Sequence, residues 1–189
     1  MRNRRIFHGT LLAASLLASG CSDGEPGYDY AIPSQVCGVE VDPSSLKNVL
    51  PPGKEARVSG DEAVDFEHLI CRVVVDKKPG LAISVLRGGG TEDLFPYWQK
   101  EIEGLGRVSP GGPVTSAGVG DNGAAALIDC LPKPGQPQEE IPGFPYTRLR
   151  LIVEVGRGEE KPDSTTDLRT STEQFMRTYV PGLTATWCK

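Results

Sequence analysis

A chain of 189 residues with 38% hydrophobic side chains and five cysteines has the length of one ordinary domain and enough apolar material for a core. Twenty Lys and Arg face twenty-five Asp and Glu, a formal charge of −5, which excludes the basic footprint a nucleic-acid binder needs. Two histidines, His8 and His68, leave little for a histidine-based metal or catalytic set.

The first twenty residues read as an export signal. A basic start at Arg4-Arg5-Ile6-Phe7 leads into an apolar run at 11–17, then Ala18-Ser19-Gly20-Cys21. The apolar stretch is broken by His8, Gly9 and Thr10 and falls short of the roughly 20 residues a spanning helix requires. Leu17-Ala18-Ser19-Gly20-Cys21 resembles the bacterial lipobox, in which the cysteine sulfur receives a diacylglyceryl group and the chain is cut before it. Two acyl chains, at about 0.8 kcal/mol per buried CH₂, hold a protein on a membrane. Ordinary secretory cleavage after Gly20 is the competing reading. Cysteine parity favours lipidation, because a modified Cys21 leaves Cys37, Cys71, Cys130 and Cys188, an even set suited to an oxidising compartment. The Arg pair also fits part of a twin-arginine motif, which Asn3 and His8 match poorly, so the export route stays open. Removal of 1–20 leaves seventeen basic against twenty-five acidic groups, a charge of −8 that keeps the body off anionic headgroups.

Residues 21–35, rich in Gly, Pro, Asp and Ser, are expected to be a flexible tether, and 36–189 a single domain. Within it, Asp42 as cap and Pro43 in the first turn start a short helix that Pro51-Pro52-Gly53 stops. Strands follow at 69–76, where Cys71, Val73 and Val75 alternate with Arg72, Val74 and Asp76, and at 81–86. Asp76-Lys77-Lys78-Pro79-Gly80 between them makes an antiparallel hairpin. Gly88-Gly89-Gly90 leads to a helix capped by Thr91 and running to Ile102. A phosphate site there is disfavoured, since Glu92 and Asp93 already occupy the positive helix end and no P-loop lysine follows. Residues 104–123 read as loop, 124–130 as strand and the proline-rich 131–145 as extended polyproline II. The clearest strand is 146–155, with Leu149, Leu151, Val153 and Val155 on one face. A last helix runs from Asp163 or Ser164 to Tyr179, with Pro181-Gly182 ending it.

The turn Gly118-Val119-Gly120-Asp121, feeding a small-residue strand and preceded by an early cysteine and a Cys71-Arg72 strand, resembles the small lipid-anchored proteins of unknown function that abound in actinomycetes. Val73 departs from that pattern, which leads one to expect tryptophan there, and Cys130 and Cys188 are additional. The resemblance implies a fold and an envelope address and supplies no catalytic residues. Asp121 is expected to cap its own turn rather than to hold a metal.

Four cysteines allow three pairings that spacing cannot decide. The pairing carried forward is Cys37 with Cys71, tying the first helix to the hairpin, and Cys130 with Cys188. The expected architecture is α+β: an antiparallel sheet with helices packed on it, braced by two disulfides. With only His68 beyond the signal and no nucleophile elbow, the chain is expected to be no enzyme, with no cofactor and no metal. Its expected work is binding or accessory service on the extracytoplasmic face of the cell membrane, its partners being the membrane through the lipid and an envelope protein or ligand, not nucleic acid. The alternatives are a hydrolase using Asp65 and Glu67, and a passive spacer.

Overall fold

The computed structural model describes residues 27–65, 68–88, 93–134, 139–141, 144–156 and 165–189. The signal segment, Cys21, Glu67, the Gly89-Gly90 pair, the expected Thr91 cap and the 159–162 break lie outside the described residues.

The expected tether is not a free chain over its second half. Tyr28 bridges to Gly53, its hydroxyl donates to the Leu50 carbonyl at 3.0 Å, and the Tyr30 hydroxyl donates to Pro51 at 2.6 Å. Two aromatic rings offset the poor apolar content of the segment by covering the end of the first helix. A two-residue hairpin follows, β1 (Gln35–Val36) against β2 (Val39–Glu40), turned by Cys37 and Gly38 at positive φ of 58° and 69°. Helix α1 (Pro43–Lys47) starts as its sequence dictates: the Asp42 carboxylate accepts the Ser45 amide at 2.9 Å, and Pro43 fills the first turn. Single-turn bonds carry the chain on to Leu50.

Strand β3 (Ala56–Asp65), absent from the sequence expectations, pairs with β4 (His68–Val75), which forms the expected hairpin with β5 (Lys78–Gly88). Asp76 and Lys77 turn that hairpin with φ of 47° and 68°, the mirror-image turn that matches strand twist. The Asp76 carboxylate repays the strained backbone by accepting the Lys54 and Glu55 amides. Pro79 lacks an amide to give, and the register slips beside it, between Val73 and Val74.

Helix α2 (Phe95–Glu101) starts later than expected, with Asp93 accepting the Phe95 amide at 3.1 Å. The 104–123 stretch is not all loop: it holds β6 (Gly106–Arg107) and β7 (Val114–Val119), which leads into β8 (Gly123–Asp129). The 131–145 stretch likewise is not simply polyproline, since β9 (Glu139–Ile141) pairs with β10 (Phe144–Pro145). Then come β11 (Arg148–Val155) and α3 (Thr165–Trp187). Pro181 does not end α3. It removes one backbone bond, but Leu183 and Trp187 are buried beyond it, Cys188 is cross-linked and the Trp187 carbonyl accepts the Lys133 amide, so the last turns are held from outside the helix.

Seven strands make one antiparallel sheet in the order β3-β4-β5-β11-β8-β7-β6. The architecture is α+β and dominated by the sheet. Its inner face presents Cys71, Val73, Leu81, Ile83, Val85, Leu149, Leu151 and Val153 to α3, which answers with Phe175, Met176, Tyr179 and Leu183. Ser45 on α1 and Thr178 on α3 share a hydrogen bond of 2.8 Å that fixes the two helices together. On the outer face, α2 covers one side only, where Phe95, Trp98, Ile102 and Leu105 bury Ala125 and Leu127 of β8. Because helices lie on both sides of β8, its side chains are buried on both faces, and the alanines at 124–126 leave room for them. Cys37 meets Cys71 with Cα atoms 5.7 Å apart, and Cys130 meets Cys188 at 5.1 Å, the expected pairs.

Candidate functional site

The glycine turn is a joint between elements. A Cβ at Gly118 would sit 2.7 Å from the Phe95 ring, and one at Gly120 would run into the Glu103 carbonyl. The Asp121 amide donates to that same carbonyl at 2.8 Å, and Asn122 Oδ1 accepts the Glu103 amide at 3.1 Å. The Asp121 carboxylate pairs with Arg169 of α3 at 2.5 Å. The three residues that define the turn thus lock the α2–β6 corner and tie it to α3, and the aspartate is engaged by a guanidinium.

His68 lies on the outer face at the start of β4, where its Nε2 is 2.5 Å from Ser84 Oγ on β5. The contact was legible in principle: folding the hairpin about Asp76-Lys77 sets His68 opposite Leu86 and Ile70 opposite Ser84, which makes His68 and Ser84 diagonal neighbours on one face. A base beside a hydroxyl is half of a nucleophilic set. The other half, a pair of free backbone donors for an oxyanion, is not offered by β5, whose neighbours β4 and β11 pair with it on both sides. Asp65 is opposite His68 in the β3–β4 register.

Two of the clefts among the described residues flank the sheet. The larger, about 520 Å³, lies between the Pro110-Gly111-Gly112-Pro113 loop and the second half of α3, where Val180, Pro181, Thr184 and Cys188 form the far wall. Arg177 sets its width: one guanidinium nitrogen donates to the Pro110 carbonyl at 3.0 Å while another holds Glu173 at 2.5 Å. The loop turns at Gly111 and Gly112, whose φ of 87° and 63° lie in the left-handed region that favours glycine. The smaller, about 400 Å³, opens on the outer face between Tyr97, Trp98 and Glu101 of α2 and Ala82, Ile152 and Glu154 of the sheet.

Arg87 closes the far end of the inner core. It is buried, its guanidinium stacked over Trp187 at 4.7 Å and near Tyr146 at 5.7 Å, below the carbonyl end of α3 where a cation is favoured. Burial pushes the Tyr146 hydroxyl above its usual range, and Arg87 pulls it part of the way back. At the opposite end, burial and the neighbouring Tyr28 and Asp76 push Tyr30 up to about 12. Neither tyrosine is poised for chemistry near neutral pH.

Among the described residues no group of three or more His, Cys, Asp or Glu is placed to hold a metal ion, and no helix is long and apolar enough to cross a membrane. No protein family model, curated protein or solved structure matches the chain.

Proposed function

We propose that this chain is a lipid-anchored module of the cell envelope, held on the outer face of the membrane by an acylated Cys21, which binds an envelope protein, glycan or small apolar ligand and performs no catalysis. The observation that carries the binding reading is the 520 Å³ cleft beside α3. Its size lies within the range of small-ligand sites, it joins a glycine-proline loop to a helix, and one wall is fixed by the Cys130–Cys188 link. The lipobox-like Leu17-Ala18-Ser19-Gly20-Cys21, the even set of remaining cysteines and the likeness to actinomycete lipoproteins support the address.

The test has two arms. Cys21→Ser should leave the exported protein without its acyl mass and in the soluble fraction, whereas a membrane-bound C21S protein overturns the anchor. Ala185→Trp places an indole in the cleft from an exposed position on α3. Capture of a specific partner by the intact protein from its own membranes should fall about tenfold or more in A185W, by analogy with losing a well-packed contact. Equal capture by both proteins removes the cleft as the binding site.

A further inference from the structure

The two edges of the sheet differ. One ends in β6, two residues long, and the other in β3, which runs for ten residues without a proline. A long edge strand presents a row of backbone donors and acceptors to any further strand, and a short one presents few. Arg57, Val58, Ser59 and Gly60 are all exposed, Val58 at 42%, so the β3 edge is open there. The direction of its free groups follows from the ladder. The Asp76 amide donates to the Glu55 carbonyl at 2.9 Å, and the pairing with β4 stays regular from Ala56 opposite Val75 to Asp61 opposite Ile70. Bonded and open pairs alternate in an antiparallel ladder, so Arg57, Ser59 and Asp61 turn their peptide groups to β4, while Ala56, Val58 and Gly60 turn theirs outward. The Asp76-Lys77 turn demands the same phase, since its flanking pair, Val75 and Lys78, bonds across to β5.

We propose that β3 pairs with β3 of a second copy of the chain, antiparallel, about a two-fold axis that passes beside Ser59 at right angles to the sheet. The two sheets then run on as one. Outward groups meet outward groups only when the numbers of the paired residues add to an even sum, and the sequence decides among those registers. With Ser59 opposite Ser59, Val58 lies across from Gly60 and Arg57 across from Asp61, each contact occurring twice, and no like charges stand opposite one another. A shift by one step either way sets Glu55 against Asp61 or against Asp65, and a further step sets Arg57 or Asp61 against itself. Each pairing of Val58 with Gly60 exchanges two backbone bonds, and the glycine leaves room for the exposed valine. The strand is its own complement, which is what selects a second copy: a foreign strand would have to bring an acid and a base at the same spacing. Helix α2 lies over β8, toward the other edge of the sheet, and does not obstruct this contact. The register shifts beyond Asp61, which confines the pairing to the middle of β3 and makes the dimer a weak one, with a contact smaller than the standard interface.

The experiment is disulfide trapping in the exported full chain under a mild oxidant. Opposed residues of an open antiparallel pair have Cα atoms about 4.5 Å apart, within the reach of a disulfide. Ser59→Cys should therefore link to itself and yield a covalent dimer, whereas the parent and Asn48→Cys, exposed at the end of α1, should not. Val58→Pro, added to Ser59→Cys, removes an amide that faces the second copy and none that β4 uses, so it should melt with its parent and yet abolish the link. Arg57→Asp in the same background should slow linking about tenfold, because two attractive contacts become repulsive together. Asp61→Arg added to it should regain most of the loss, a coupling that a merely structural role would not give. No covalent dimer from Ser59→Cys, equal linking of Asn48→Cys, undiminished linking with Val58→Pro, or a charge-swapped double variant as slow as Arg57→Asp alone overturns the proposal.

Discussion

Strand β11 serves both faces of the sheet, and its two sets of side chains live under different conditions. Leu149, Leu151 and Val153 point to α3 and are wholly buried, whereas Arg148, Arg150 and Ile152, alternating with them, are half exposed. Leu151 and Ile152 are neighbours of similar size and apolarity, and what separates them is what lies above. The inner face has a 23-residue helix and contact with both cross-links, and the outer face a seven-residue helix over one edge. Coverage, rather than strand sequence, sets what each position contributes.

The largest way to disturb this contrast is to cut the braces of the inner face. Loss of Cys130–Cys188, which closes a separation of 58 residues, should cost about 4 kcal/mol, and loss of Cys37–Cys71, over 34 residues, slightly less; chemical unfolding of the serine pairs under oxidising conditions measures both. Next, Leu151→Ala should lower stability by about 3 kcal/mol and Ile152→Ala by about 1 or less. Equal losses would show that the outer face is as tightly covered as the inner one. Smaller again, about 2 kcal/mol, is the expected effect of Gly120→Ala, which drives a methyl group toward the Glu103 carbonyl; its melting temperature should fall while Asp121→Asn, which keeps the space and weakens a half-exposed ion pair, should shift it by the equivalent of about 1 kcal/mol or less.

The smallest effect is confined to the N-terminal segment and depends on pH. A tyrosine that ionises near 10 when free and near 12 when folded binds its proton more tightly in the folded state. Its contribution is therefore complete below pH about 10 and is lost as pH climbs toward 12. The docking of Tyr30 on Pro51 should fade across that window, read as tyrosinate absorbance together with new protease cleavage near residue 30, before the inner core opens.

The hairpin of β4 and β5, strand β11 and the start of α1 were legible because their signals are local: alternation, a turn dipeptide, an aspartate before a proline. Strand β3 was not, because Arg57, Ser59 and Gly60 lie on an exposed edge and need no apolar alternation. Strand β7 was hidden by its own glycine and small residues, whose purpose is to admit the Phe95 and Leu105 side chains from elsewhere in the chain. The run of α3 past Pro181 rests on Cys130, Lys133 and the inner core, none of them near in sequence. The glycines and Asp121 were visible as a motif, but their partners at 95–105 and at Arg169 were not. The clefts could not be read at all, since residues 110–113 and 177–188 meet only after folding.

The seating of Tyr28 and Tyr30 on the 50–53 corner sets how far the body could stand from a membrane under the proposed anchor. With the body beginning at about residue 27, the proposed acylated Cys21 would be joined to it by six residues, a leash of at most about 20 Å, in place of the roughly 50 Å that fifteen free residues would permit. So short a leash acts as a ruler: it would keep the 50–53 corner next to the headgroups and restrict how far the body can swing to meet anything on a neighbouring anchor.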